Sequence, residues 1–170
     1  MPAGSLETIF RALEEARVRY LVVGGVAVVL HGHPRFTADL DLVLSLDPAN
    51  LRAALDALAG LGYGPRAPVR ADDLLDPRRR EEWIREKGMV VFSLCSPKHP
   101  TTEVDIFVEE PFPFEAARSR AVWGDLGDTR VPIASIADLV EMKRRAGRPL
   151  DLEDVRSLEA IARELADPDG

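Results

Sequence analysis

An Asp-Leu-Asp triplet set in branched aliphatic residues, "DLDLVLSL" at 39–46, restricts this chain more than any other feature. The alternation and the Leu/Val content predict a strand. Side chains two apart on a strand share a side, so Asp39 and Asp41 project together while Leu40 and Leu42 face the core. Two carboxylates about 6–7 Å apart in a partly desolvated place repel each other unless positive charge stands between them. A divalent cation such as Mg2+ or Mn2+ answers that need, because it prefers carboxylate oxygens and keeps room for water or phosphate in its shell. A solvated strand edge is the plainer account of a D-x-D pair, and a third acid weighs against it. Asp105 lies mid-strand in "TEVDIFVE", between Val104 and Ile106. If the two strands pair, three carboxylates meet at one spot, enough for two metals about 3.5–4 Å apart and in-line displacement at phosphorus.

Upstream, "YLVVGG" predicts a short buried strand ending at Gly24 and Gly25, with "VAVVLHGH" as a helix bounded by Gly25 and Gly32. Backbone without Cβ atoms can approach a phosphate closely, and a helix start offers free N–H groups. A tight strand-to-helix turn explains the same glycines. Neither G-x-x-x-x-G-K-[ST] nor G-x-G-x-x-G is present here, which argues against a P-loop enzyme and an ordinary dinucleotide-binding fold.

The remaining elements alternate irregularly. "SLETIFRALEEARV" puts Leu6, Ile9, Phe10 and Leu13 on one helical face with Ser5 as N-cap. A second helix follows Asp47 and Pro48, with Leu51, Leu55 and Leu58 aligned. Residues 64–77 read as a loop, "PRRREEWIREKG" as a short charged helix, and "MVVFSLC" and "TEVDIFVE" as strands joined by a turn. "FPFEAARSRA" predicts a helix and "TRVPIA" a strand. "SIADLVEMKRRAG" opens with a Ser-x-x-Asp cap and ends at Gly147, and a last helix begins at a capping Asp151. The expected class is α+β: a mixed sheet flanked by helices, with C-terminal helices. The expected organisation is one domain over 1–170, with a core of about 18–134 and a helical segment of about 135–166.

Acidic residues outnumber basic ones, 29 to 22, for a net charge of −7, which disfavours broad nucleic-acid binding. A lone cysteine, Cys95, excludes an internal disulfide framework and suits a reducing cytosol. With no signal-peptide pattern and no apolar run of membrane-spanning length, a cytoplasmic location is expected, without a membrane partner.

The order Gly-Gly, thirteen residues, Asp-Leu-Asp on a strand, then an aspartate on a later strand resembles the nucleotidyltransferase superfamily, whose fold is named for DNA polymerase beta. "GGVAVVLHGHPRFTADLDLVL" is most similar to its small bacterial branch, which holds AbiEii/AbiGii-type toxins and antibiotic nucleotidyltransferases. "VPIASIADLVEMKRRAGRPLDLEDVRSLE" resembles that family's closing segment. The resemblance, over roughly 18–165, implies a nucleotidyltransferase fold and a metal-dependent enzyme. Asp39 and Asp41 would bind the metals that bridge a nucleoside triphosphate. Asp105 would complete the second metal site and help deprotonate the acceptor hydroxyl. Gly24 and Gly25 would hold the β- and γ-phosphates, with Arg35, Thr37, Lys143 and Arg148 as further phosphate contacts. The implied reaction is attack on the α-phosphorus with loss of pyrophosphate, driven by positioning and charge neutralisation.

The acceptor stays open among a small molecule, a protein side chain and a tRNA end. A homodimer or a cognate partner protein is expected to help bind it. The alternative is a non-catalytic nucleotide-binding or toxin–antitoxin partner protein of the same fold. His31 and His33 read as helix-end or polar structural residues, Cys95 as a buried apolar one, and "RRREE" at 78–82 as a solvated face. Asp151 and Asp154 read as first-turn acids that could also orient Arg148.

Overall fold

The computed structural model describes residues 3–167; positions 1–2 and 168–170 of the span expected as one domain lie outside the described residues. Among the described residues seven helices, α1 (Ala3–Glu15), α2 (Gly24–Leu30), α3 (Pro48–Gly60), α4 (Pro77–Lys87), α5 (Phe114–Ser119), α6 (Ile136–Ala146) and α7 (Pro149–Ala166), surround one mixed sheet. Its strands are β1 (Tyr20–Val23), β2 (Asp39–Leu44), β3 (Gly64–Pro65), β4 (Val91–Cys95), β5 (Glu103–Phe107), β6 (Val122–Leu126) and β7 (Thr129–Ile133), in the order β3-β4-β5-β2-β1-β7-β6. β2 runs antiparallel to β1 and parallel to β5. β1 also meets β7 in parallel, and the outer pairs are antiparallel. This is the α+β class that the sequence predicts.

Alternation decides what each face does. Leu40, Leu42 and Leu44 of β2 stand in register with Tyr20 and Val22 of β1 and with Val104 and Ile106 of β5, all buried. The aligned face of α1 covers them: Ile9, Phe10 and Leu13 are fully buried, and Phe10 stacks on Tyr20 at 6.0 Å between centroids. α3 packs beside α1 through Leu51, Leu55 and Leu58. Burying such side chains contributes about 1.5–3 kcal/mol each; Leu21, Val23 and Val43 are buried on the opposite face, beside the position of Asp41. Asp47 caps α3, its carboxylate accepting from the N–H of Ala49 (3.0 Å) and Asn50 (3.3 Å). Ser135 caps α6, accepting from the N–H of Asp138 (3.2 Å). Gly147 ends α6 at φ 65°, turning the chain directly into α7.

Several local expectations are corrected. α1 starts before Ser5, whose hydroxyl lies 3.1 Å from His99 Nδ1 instead of capping the helix. α7 starts at Pro149, the residue best suited to a first helical position, so Asp151 sits inside the first turn. The 64–77 loop contains β3 and a 3-10 turn at Ala71–Leu75. β6, "VWGDL", was not expected; its glycine and aspartate break the strand pattern, and pairing with β7 overrides them. Arg80 is buried and donates to the Leu74 carbonyl (2.6 Å), while its neighbour Arg79 pairs with Glu82 on the solvated side. Cys95 is exposed, because odd positions of β4 face away from the Phe92–Leu94 side. Among the described residues no helix is long and apolar enough to cross a membrane.

Candidate active site

Register places the acids together. Asp41 is directly opposite Asp105, and Asp105 opposite Ser93, so the three occupy one cross-strand row; Asp39 and Glu103 form the next. Cross-strand partners share a face about 4.5–5.5 Å apart. The apolar neighbours Leu40, Val104 and Ile106 point the other way into the core and fix this register. One Asp105 oxygen, Oδ1, is buried without a hydrogen-bond partner. The side chains are arrayed rather than gathered: among the described residues no three acidic, histidine or cysteine side chains form a ready ligand set.

The glycine pair closes one end. β1 finishes at Val23, opposite Asp41, and Gly24 turns the chain into α2 at φ +65°. A Cβ on Gly24 would lie 2.0 Å from Asp41 Oδ2, so the carboxylate occupies the space that a side chain would need. A Cβ on Gly25 would lie 2.6 Å from Thr37 Oγ1 and 3.0 Å from Arg35 Nη2. Thr37 donates from that oxygen to the Asp39 carbonyl (3.3 Å), which ties the 33–38 loop to the start of β2.

The cations come from the α6–α7 hairpin and that loop. Lys143 is buried, its Nζ 2.6 Å from Asp154 Oδ2 and 3.6 Å from Asp151 Oδ1. Arg35 donates through Nη2 to Asp154 (3.1 Å); its Nε is 3.0 Å from the other carboxylate oxygen but not aimed at it, and has no hydrogen-bond partner. Arg148 Nε donates to Asp151 (2.7 Å), and the Arg148 backbone N–H to the same carboxylate (3.2 Å). Its side chain is 78% exposed, against 7% for Lys143, so Arg148 is the cation free to meet a ligand.

Electrostatics follow from this crowding. Burial, then the charges of Asp105 and Asp39, push the Asp41 carboxyl up to about 7, although Lys143 and Arg148 pull it down. Asp105 is also raised, chiefly by burial, with Asp39 and Glu103 adding and Ser93 and Arg66 opposing. Asp151 resists its own burial and stays below the usual carboxylate range because Arg148 bonds it. A face on which burial and mutual repulsion raise Asp41 and Asp105, and whose rim is cationic, favours a ligand that brings both cation and anion, as a metal-chelated polyphosphate does.

All nine residues singled out from the sequence, Gly24, Gly25, Arg35, Thr37, Asp39, Asp41, Asp105, Lys143 and Arg148, border this region of the sheet. The sequence reading missed the hub. Asp154, 1% exposed, grips Lys143 and Arg35, while only Asp151 orients Arg148. The signal was available: Asp151 and Asp154 are three apart, on one helix face beside a short helix–helix turn. Glu103 and Arg66, whose Nη1 donates to both of its carboxylate oxygens (2.9 and 2.7 Å), were also missed. His31 reaches the Ala134 carbonyl (2.9 Å) and His33 the Ser157 hydroxyl (3.3 Å), both ordinary packing contacts.

Comparison with known proteins bears on the same region. The family model described as "Nucleotidyl transferase AbiEii toxin, Type IV TA system" matches residues 8–159. No curated protein matches the chain. Among solved structures, the fold is similar to the lincosamide antibiotic adenylyltransferase LnuA in a lincomycin-bound crystal structure, with TM-score 0.61, 19% identity, and 92% of this chain and 95% of that one covered. It is similar to the antibiotic-resistance factor ANT(2'')-Ia in solution, with TM-score 0.58, 15% identity, and coverage of 96% and 83%. A crystal structure of ANT(2'')-Ia with adenylyl-2''-tobramycin aligns with TM-score 0.56 at 13% identity, covering 99% of this chain and 98% of that one. At these identities the likeness is one of fold.

Proposed function

We propose, from the premise that this chain belongs to the AbiEii nucleotidyl transferase toxin family of type IV toxin–antitoxin systems, that it moves a nucleoside monophosphate from a nucleoside triphosphate to an acceptor hydroxyl. The observation that carries this reading is the register of Asp41 against Asp105, with Gly24 packed directly against the Asp41 carboxylate. The donor chemistry suits Mg2+ or Mn2+: Asp39, Asp41 and Asp105 would hold it through hard carboxylate oxygens once their arrayed side chains turn toward one ion, and Asp105 Oδ1 is buried without a hydrogen-bond partner. When bound, such a cation supplies neutralising charge for the phosphates and acidifies the acceptor hydroxyl.

The chain's own groups then divide the work. Gly24 and Gly25 bring backbone N–H groups toward the β- and γ-phosphates with no side chain of their own, beside Asp41, Thr37 and Arg35. Arg148 and Arg35 offer N–H donors to the departing pyrophosphate, and Thr37 a hydroxyl. Lys143 holds the cationic side in place through Asp154 and Asp151. Asp105 helps remove the acceptor proton as the acceptor oxygen bonds the α-phosphorus and the bond to the bridging oxygen breaks. Positioning and charge carry the reaction, since the protein forms no covalent bond. We read the core of about 18–134 and the 135–166 hairpin as one working unit, because the hairpin brings the cations to the sheet.

Calorimetry tests the reading. Nucleoside triphosphate should bind in a Mg2+-dependent manner and should not bind Asp39→Asn/Asp41→Asn. Pyrophosphate release should follow when an acceptor is added. Proteins, tRNA and small hydroxyl compounds are the acceptors to try; the last enter because one neighbour is an antibiotic adenylyltransferase and another is seen with adenylyl-2''-tobramycin. Mg2+-independent binding, or none, would overturn the metal assignment. Binding without turnover on any acceptor class would favour the non-catalytic alternative, working with a cognate antitoxin.

A further inference from the structure

The two edges of the sheet are treated differently. β3 is two residues long and contains Pro65, so it offers a partner almost nothing to pair with. β6, at the other edge, runs five residues without proline or lysine and pairs only with β7. No backbone hydrogen bond outside the helices and strands involves Val122–Leu126 among the described residues. Val122 is 47% exposed and Trp123 42%. An open, partly apolar edge of this length is an association site unless something covers it.

We propose that this edge is covered by a second copy of the chain, the two β6 strands pairing antiparallel about Gly124. The strand is complementary to itself in that register. On one face Trp123 falls opposite the second copy's Asp125; on the other, Val122 falls opposite its Leu126. The indole already carries Arg118, 4.7 Å from its ring centroid, and Arg130, 5.8 Å away. Asp125 is 80% exposed and has only a 3.6 Å pairing with Arg130 within its own chain. Each Asp125 therefore meets a guanidinium held over the other copy's tryptophan, and the twofold makes every such contact twice. Val122 gains an apolar neighbour in Leu126, which already packs against the core. Trp and Arg at the centre of a small interface are the residue types that carry binding energy. The proposed site lies on β2 and β5, beyond β1 and β7, so pairing at β6 leaves it open.

Sedimentation of the purified chain across the micromolar range tests this. The wild type should run at twice the 18.7 kDa monomer mass. Trp123→Glu sets a carboxylate against the second copy's Asp125 and should give monomer; adding Asp125→Lys should restore the dimer. Val122→Lys, on the other face, should also give monomer, and circular dichroism checks that each variant is folded. A wild type that stays monomeric, including one that captures another protein's strand at this edge, overturns the proposal. So does a Trp123→Glu dimer as tight as the wild type, or a folded double variant that remains monomeric.

Discussion

Replacing Asp41 by Asn should stabilise the free protein, and by more at high pH than at low. Folding lifts this carboxyl from 3.8 to about 7, because it is buried between Asp39 and Asp105 with Gly24 pressed against one oxygen. A group whose folded value is raised contributes stability below its unfolded value and loses it as pH rises through about 7. Three units at about 1.36 kcal/mol each amount to about 4 kcal/mol above that range. Asp41 keeps some contact with water, which screens the charge and lowers the expected figure to about 2–3 kcal/mol. Urea unfolding of both proteins without metal, at about pH 4.5 and about pH 8.5, measures it: the Asn variant should gain most of its advantage at the higher pH. Mg2+ should then raise the wild type at the alkaline pH and leave the variant unchanged. A variant less stable than wild type at both pH values, or an advantage that does not grow with pH, would refute the account of Asp41 as a charge held at the fold's expense.

Gly24→Ala should lose triphosphate binding and about 1–3 kcal/mol of stability, since its φ is +65° and its Cβ would overlap the Asp41 carboxylate; calorimetry and urea unfolding read the two effects. Lys143→Met leaves Asp154 and Asp151 without their shared buried partner and should cost about 3–5 kcal/mol, seen as a lower urea midpoint. Arg148→Met, whose side chain is exposed, should cost under about 1.5 kcal/mol in the same assay yet weaken triphosphate binding. Cys95 should react fully with an aromatic disulfide reagent in the folded protein; a thiol that reacts only in denaturant would contradict its exposure.

Where one short-range rule decides the outcome, the sequence was legible. β2 was legible because its alternation fits one pattern only, and α3 because Asp47 and Pro48 mark its start. β6 was not, because its strand character comes from pairing with β7 and not from "VWGDL" itself. Cys95 was misplaced because a strand rich in Val, Phe and Leu reads as buried throughout, while the last position of β4 faces solvent. The three aspartates could be seen but not their register, and register is what sets Asp41 against Asp105 and leaves Glu103 beside Asp39. The hub at Asp154 escaped for a similar reason. A buried acid is visible as such only when its partners are known, and Lys143 and Arg35 reach it from two other parts of the chain.

Gly24 and Asp41 are best understood as one feature written in two places. The β1–β2 register puts Asp41 beside the last residue of β1, so its carboxylate falls on the next α carbon, that of Gly24. A turn alone would require only a residue able to adopt positive φ, a role that asparagine also fills. The 2.0 Å clearance at Gly24 requires more: no side chain of any kind fits while Asp41 holds its present place. The same logic governs Gly25, where Thr37 and Arg35 fill the space, and Arg35 is in turn held by Asp154. The glycines therefore pack Asp41 of the sheet and Thr37 and Arg35 of the loop against one turn, and Arg35 carries the link on to Asp154 of the hairpin. A substitution at either should disturb both sides of the site together, whereas one at Arg148, hydrogen-bonded to Asp151 at the rim, should reach Asp41 through charge alone.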